Sequence, residues 1–173
     1  MTRSPMTTTA KPADIRILPV TDRAGLEQAW QVRTEVFVHE QQVPPAEEID
    51  ALDTAETTSH VLAVDGEGTA VGTARLLSEP DHPGEVHLGR LAVRAPARGR
   101  GIGARLVVAV EALALAQHGV RQGEEGPLSV RVVLAAQESA MAFYGRLGYA
   151  PVSGERFLDA GIWHQDMART VTA

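Results

Sequence analysis

The sequence predicts an α/β (α+β) fold built on one mixed β-sheet flanked by helices. Three observations carry this. Strand-like apolar runs and helical periodicity alternate along 173 residues in the order β, α, β-β-β, α, β, α, β-β. Hairpin signals join some strands, whereas helix-length segments separate others, so antiparallel pairs and crossovers must share a sheet. Hydrophobic residues make up 44% of the chain, enough to fold around a sizeable core.

Each element has its own signal. Residues 14–20 read as the first strand, with Pro19 near its end. Thr21 or Asp22 caps a helix running to about His39, with Leu26, Ala29, Trp30, Val32, Val36 and Phe37 at its apolar positions. Residues 40–57 hold Pro44-Pro45 and many acids, so a long loop or short helix is expected there. Ordered loops of that length are often functional. Strands at 60–65 and 69–77 are joined by Gly66-Glu67-Gly68, a hairpin signal. A further strand, 85–93, follows the turn at 80–84. The central helix spans roughly 101–118 on a stripe of Ile102, Leu106, Val110, Leu113 and Ala114. Residues 128–134 form a buried strand, and 138–147 a short helix ended by Gly148. Strands at 149–152 and 164–169 complete the order, with a loop expected at 153–163 between them.

Composition narrows the chemistry. There are no cysteines, which removes disulfides, cysteine-rich zinc sites and a cysteine nucleophile. The one lysine, Lys11, lies in the N-terminal stretch, so a Schiff-base lysine is not expected. Net charge is −6 with no basic run, which argues against general nucleic-acid binding. No apolar run approaches a membrane span, and the N-terminus lacks the apolar core of a secretory signal. The expectation is a cytoplasmic protein with a disordered tail at 1–12, in which Met6 is a second candidate start, followed by one domain at 13–173.

The most informative stretch is 88–103, LGRLAVRAPARGRGIG. An apolar strand passes through a polar turn into Gly99, Gly101 and Gly103, at the start of the central helix. Glycines there leave backbone N–H groups uncovered at the positive end of the helix dipole, which suits an anion. Arg90, Arg94, Arg98, Arg100 and Arg105 fall in this region, and no acid occurs between Glu85 and Glu111. A phosphate-bearing cofactor fits. A single Gly-Arg pair would be an ordinary helix cap; the glycines, arginines and preceding strand together favour function. Gly99-x-Gly101-x-x-Ala104, with Glu124 beyond, also satisfies the dinucleotide pattern. The polar linker at 94–98 is too long for that tight strand-to-helix turn.

The chain resembles the GCN5-related N-acetyltransferase (GNAT) superfamily. The likeness rests on Arg98-Gly99-Arg100-Gly101-Ile102-Gly103 after Leu91-Ala92-Val93, then on Val132 to Gln137, Ala142-Phe143-Tyr144 and Leu147-Gly148-Tyr149. It covers about residues 15–167. Glu35 to Val38, Glu40-Gln41, Pro44, Asp50, Asp53, His60, Gly89-Arg90, Ala136-Gln137 and Gly161-Ile162 with His164 resemble the ElaA-like subgroup more narrowly. Gln137 stands where many superfamily members have Asn, and Trp163 where the subgroup often has Pro.

The resemblance implies the acyl-CoA N-acyltransferase fold, its sheet splayed in the middle, and acetyl transfer from acetyl-CoA to a primary amine without a metal. The implied cofactor residues are Leu91, Ala92, Val93, Arg98, Gly99, Arg100, Gly101, Ile102, Gly103, Gln137 and Tyr144. The Leu91 N–H would polarise the thioester carbonyl and Val93 would pair with pantetheine, roles of the backbone that leave little trace in residue identity. Tyr144 is the expected general acid, because a phenol stays protonated at neutral pH while a thiolate leaves. Glu40, Asp50, Asp53, His60, Arg75 and Arg90 are expected around the acceptor. Arg75 and Arg90 lie in apolar strands and must be exposed or paired, for instance with Asp50 or Asp53.

The general base is open among Glu40, Glu48, Asp50, Asp53, His60, His87 and His164, with His164 taken forward as catalytic. A solitary histidine is usually structural, and that plainer reading is kept for His60 and His87. Asp81-His82 and His87 are explained by a turn rather than a metal. Between Arg33 and Arg75 there are nine acids and no Lys or Arg. Beside an acceptor mouth, such a block favours a cationic small-molecule or peptide amine. A homodimer would be unsurprising. The alternative function is a non-catalytic CoA-binding regulatory module of the same fold.

Overall fold

A computed structural model of the protein describes residues 14–173, so the tail expected at 1–12 lies outside the described residues. Strand β1 (Arg16–Pro19) leads into helix α1 (Arg23–Arg33). Asp22 caps α1, its carboxylate accepting the Gly25 N–H at 2.8 Å. The coil then widens into a π-helical stretch, Thr34–Glu40, closed by the Gln41 N–H on the Val36 carbonyl at 3.2 Å. Such widened turns are rare and frequent at functional sites.

The acidic segment is two short helical pieces, α2 (Pro45–Glu48) and a 3₁₀ turn at Ala51–Thr54 capped by Asp50. Strands β2 (Thr58–Val64), β3 (Ala70–Ser78) and β4 (Glu85–Val93) follow as a meander. Helix α3 (Ile102–His118), the two-residue strand β5 (Val120–Arg121) and strand β6 (Leu128–Gln137) come next. After the short helix α4 (Met141–Arg146), strands β7 (Ala150–Asp159) and β8 (Ile162–Thr172) close the chain.

The last two strands correct the loop expected at 153–163. They form a long hairpin whose two-residue turn, Ala160 (φ 49°) and Gly161 (φ 78°), has both residues left-handed, as tight hairpins favour. Every residue of β7 is exposed, so its sequence carries no apolar alternation to mark a strand.

The sheet runs β1-β2-β3-β4-β6-β8-β7, with β5 on β6. All pairs are antiparallel except β4–β6. That parallel pair lasts only from Glu85↔Arg131 to His87↔Val133, and beyond it the strands part. The sheet is therefore splayed at its centre. A bulge adds to this. Between Thr73↔Ala92 and Arg75↔Gly89 strand β4 carries one extra residue, and Arg90 there has φ 52°. Bulges bend a strand and re-aim its groups, often next to active sites.

Helix α3 packs Leu106, Val107 and Val110 into a core with Val86, Leu88, Val132 and Leu134. A Cβ on Gly72 would stand 3.0 Å from a Leu106 methyl, so a side chain there would have to push Leu106 aside by a few tenths of an ångström. A second cluster joins Ala29, Val32 and Val36 to Leu62, Val64 and Ala92. Among the described residues no helix is long and apolar enough to cross a membrane.

Candidate active site

The splay opens a cavity of about 390 Å³. One wall is β4 from Leu88 to Val93, bulge included; the other is Ala135 and Gln137 of β6. Phe143 and Tyr144 of α4 form its floor, and the π-helical stretch contributes Val36, Phe37 and Glu40. Glu47 and Glu48 enter from α2, and Asp159, Ala160, Ile162 and His164 from the terminal hairpin.

Of the cofactor residues expected from the sequence, Leu91, Ala92, Val93, Arg98, Gln137 and Tyr144 line this cavity. Gln137 donates to the Gln41 side chain at 2.8 Å, tying the end of β6 to the π-helical stretch. The glycines sit at the start of α3, which no side chain among the described residues caps. Gly99 (φ 77°) and Gly101 (φ 73°) require left-handed backbone, and a Cβ on either would point into open space. The backbone amides there are uncovered, which fits a pyrophosphate. Gly103 has a packing reason instead, since its Cβ would stand 3.3 Å from the Phe143 ring. Ile102 is core and Arg100 is exposed. The Arg98 guanidinium donates from Nε to the Val93 carbonyl at 2.8 Å and pairs with Glu40 at 2.8 Å.

Tyr144 is buried edge-on against Phe143 and Tyr149. Burial pushes its phenol up to about 12, so it carries its proton throughout the physiological range. His164 stands opposite Gln137 in the β6–β8 ladder and stacks on Phe157 at 5.7 Å. Its Nδ1 lies 2.8 Å from the Ile162 carbonyl. A carbonyl only accepts, so Nδ1 holds the proton and Nε2 is left as an acceptor.

The residues expected around the acceptor divide. Glu40 and Arg90 line the cavity. Asp50, Asp53, His60 and Arg75 do not; they stand behind its wall in an ionic network. At the network's centre is Arg33, fully buried, with Nε 2.6 Å from Glu48 and NH1 2.7 Å from Asp53. Arg75 holds Asp50 and Asp53, each at 2.8 Å, and Trp30 donates to Asp53 at 3.0 Å. Burial alone would raise Asp53, but the hydrogen bonds and charges of Arg33 and Arg75 prevail and hold it down at about 2. His60 contacts the Asp53 carbonyl through Nε2 at 3.0 Å. Burial, with Arg33 and Arg75 nearby, pushes its pKa down.

Arg90, from the bulge, reaches the Glu47 carbonyl at 3.2 Å, the Glu48 carboxylate at 3.3 Å and Asp50 at 3.4 Å. It staples the acidic segment over the cavity. The sequence did not single out Arg33, which reads as an ordinary cation in a helix's last turn, nor Asp159 and Ala160, which fall in the misread hairpin. His87 lies on the stretch of β4 paired to β6 and does not line the cavity. Among the described residues no group of three or more His, Cys, Asp or Glu is placed to hold a metal ion.

A family model described as an acetyltransferase (GNAT) domain matches residues 20–171. The chain is 37% identical over 144 residues to YjcF of Bacillus subtilis (strain 168), named an uncharacterised N-acetyltransferase, covering 83% of this chain and 91% of that one. Among solved structures it is similar to Escherichia coli ElaA (28% identity, TM-score 0.72, 90% of this chain and 99% of the other). It is also similar to an acyl-CoA N-acyltransferase from Pseudomonas aeruginosa (31% identity, TM-score 0.74, with the same coverages).

Proposed function

Since this chain belongs to the GNAT acetyltransferase family, we propose that it moves the acetyl group of acetyl-CoA to a primary, cationic amine by direct attack within the splay. The carrying observation is that one cavity gathers the β4 bulge, the buried Tyr144 and His164.

The uncapped start of α3 would take the pyrophosphate, with Arg98 and Arg100 adding charge. Val93 and Ala92 on the parted edge of β4 would hold the pantetheine arm, and Gln137 faces it from β6. Acetyl-CoA supplies the activated thioester. Leu91, next to the bulge, would offer its N–H to the carbonyl oxygen as negative charge develops. An alkyl ammonium has a pKa of about 10.4, by analogy with lysine, and must lose a proton before attack. His164 Nε2 is the acceptor we assign to it. As the tetrahedral intermediate collapses, Tyr144 gives its proton to the leaving thiolate. Among the described residues four acids line the cavity, Glu40, Glu47, Glu48 and Asp159, against two arginines, which supports a cationic acceptor.

Thiol release from acetyl-CoA over a panel of cationic, neutral and anionic amines tests this. Turnover that favours cationic amines and falls with salt is expected. Tight acetyl-CoA binding with no turnover on any amine would leave a CoA-binding module instead.

A further inference from the structure

We propose that Glu48 docks a second, non-reacting ammonium group of the acceptor, so that the amine taken by this site carries two cationic centres. The proposal rests on the transferase reading above and adds to it a residue and a substrate class. Of the four cavity carboxylates, Glu40 is occupied by Arg98. Glu47 and Asp159 are exposed, so water solvates and screens them. Glu48 is only 3% exposed. A charge held in that setting interacts far more strongly than one in water.

The placement of Glu48 is fixed from one side. Arg33 donates to Oε1 at 2.6 Å and also to the Glu48 backbone carbonyl. Arg90 Nε stands 3.3 Å from the same Oε1 and donates to the same carbonyl. The other oxygen, Oε2, takes no hydrogen bond from the described residues. Nor is it among the sealed polar atoms that lack a partner, as His60 Nδ1 is, so it opens onto the cavity that the residue lines. A carboxylate oxygen with so little water around it gains more from a positive partner than an exposed one does. Burial raises the Glu48 carboxyl despite both guanidiniums, so the arginines under-compensate the charge. An entering ammonium supplies the missing partner.

Such a contact also fixes which nitrogen is bound. A carboxylate holds an amine in its protonated form, whereas the attacking amine must be neutral. The nitrogen at Glu48 is therefore not the nucleophile. Arg90 links the two positions, since it touches Glu48 and immediately precedes Leu91. A volume of about 390 Å³ suits a small diamine reaching from one to the other.

Putrescine and n-butylamine share a chain length and differ by the second ammonium. Thiol release at saturating acetyl-CoA should give putrescine a kcat/KM at least about 10-fold higher, carried by KM. In Glu48→Gln, shown to be folded by its thermal melt and acetyl-CoA affinity, the preference should shrink to within about 2-fold. In Glu47→Gln and Asp159→Asn it should persist, and those exposed positions give folded variants even if Glu48→Gln does not fold. Equal turnover of the two amines by the wild type would overturn the proposal and leave the transferase reading intact. Loss of the preference in either exposed-acid variant, or its survival in folded Glu48→Gln, would do the same. No thiol release with any amine would bring down the transferase reading, and this proposal with it.

Discussion

Arg98 and Glu40 pair through both carboxylate oxygens, at 3.0 and 2.8 Å, beside the cavity where a phosphate-bearing cofactor is expected. Glu40 thus offsets a charge that the cofactor would otherwise meet in full. Glu40→Gln leaves Arg98 anchored on the Val93 carbonyl and frees its charge. Acetyl-CoA affinity, measured by calorimetry at low ionic strength, is expected to rise about 2- to 5-fold. Weaker binding would mean that the carboxylate is needed to aim the guanidinium.

Gly101 is the cleaner of the two cradle positions to test. A Cβ there meets nothing, whereas one on Gly103 meets Phe143. Gly101→Glu is expected to weaken acetyl-CoA binding by more than about 10-fold, since the carboxylate repels phosphate at the helix start. Gly101→Asn, which tolerates the left-handed backbone without adding charge, should bind better than the Glu variant. Equal affinities in the two variants would remove the phosphate from this position.

The network behind the cavity should show in stability. The Asp53 side chain is wholly buried and receives Arg33, Arg75 and Trp30. Asp53→Asn leaves two buried guanidiniums under-compensated, and a loss of about 3 kcal/mol or more in urea unfolding is expected. A loss below about 1 kcal/mol would show that Glu48 and Asp50 suffice as counter-charges.

Acid should weaken the fold in two stages. His60 gives its Nε2 proton to the Asp53 carbonyl, and its Nδ1 is sealed with no partner among the described residues. Protonating it buries a charge near Arg33 and Arg75, so its folded pKa lies below the unfolded value. The unfolded chain then binds the extra proton first, and stability falls as pH drops below about 6.5. Asp53, depressed to about 2, adds a second loss as pH falls below its unfolded value toward that figure. Glu48 is raised and works the opposite way, favouring the fold as it protonates. In His60→Gln, unfolding midpoints against pH should lose the first stage and keep the second. An unchanged onset would assign it to another group.

The fold was largely legible because its elements carry strong local signals. The Asp22 cap, the glycine-rich start of α3 and the meander of β2 to β4 all depend on near neighbours in sequence. The β4 stretch Leu88–Val93, which lines the cavity, was legible as a strand for the same reason. The acceptor side was not. Nine acids with no Lys or Arg between Arg33 and Arg75 read as a negative surface, yet Arg33, Arg75 and Arg90 fold in from outside that block and pair with Glu48, Asp50 and Asp53. Charge compensation over such separations leaves no local pattern. Asp159 was hidden differently, in a strand exposed along its whole length.

In the proposed reaction, acetyl transfer takes place in the splay with Tyr144 as its proton donor. Tyr144→Phe keeps the ring that packs on Phe143 and Tyr149 and removes only the hydroxyl. Thiol release should fall roughly 10²-fold or more, while acetyl-CoA affinity by calorimetry changes little. Wild-type turnover in the Phe variant across pH 6 to 9, a range well below a phenol pKa of about 12, would contradict the claim and reduce Tyr144 to packing.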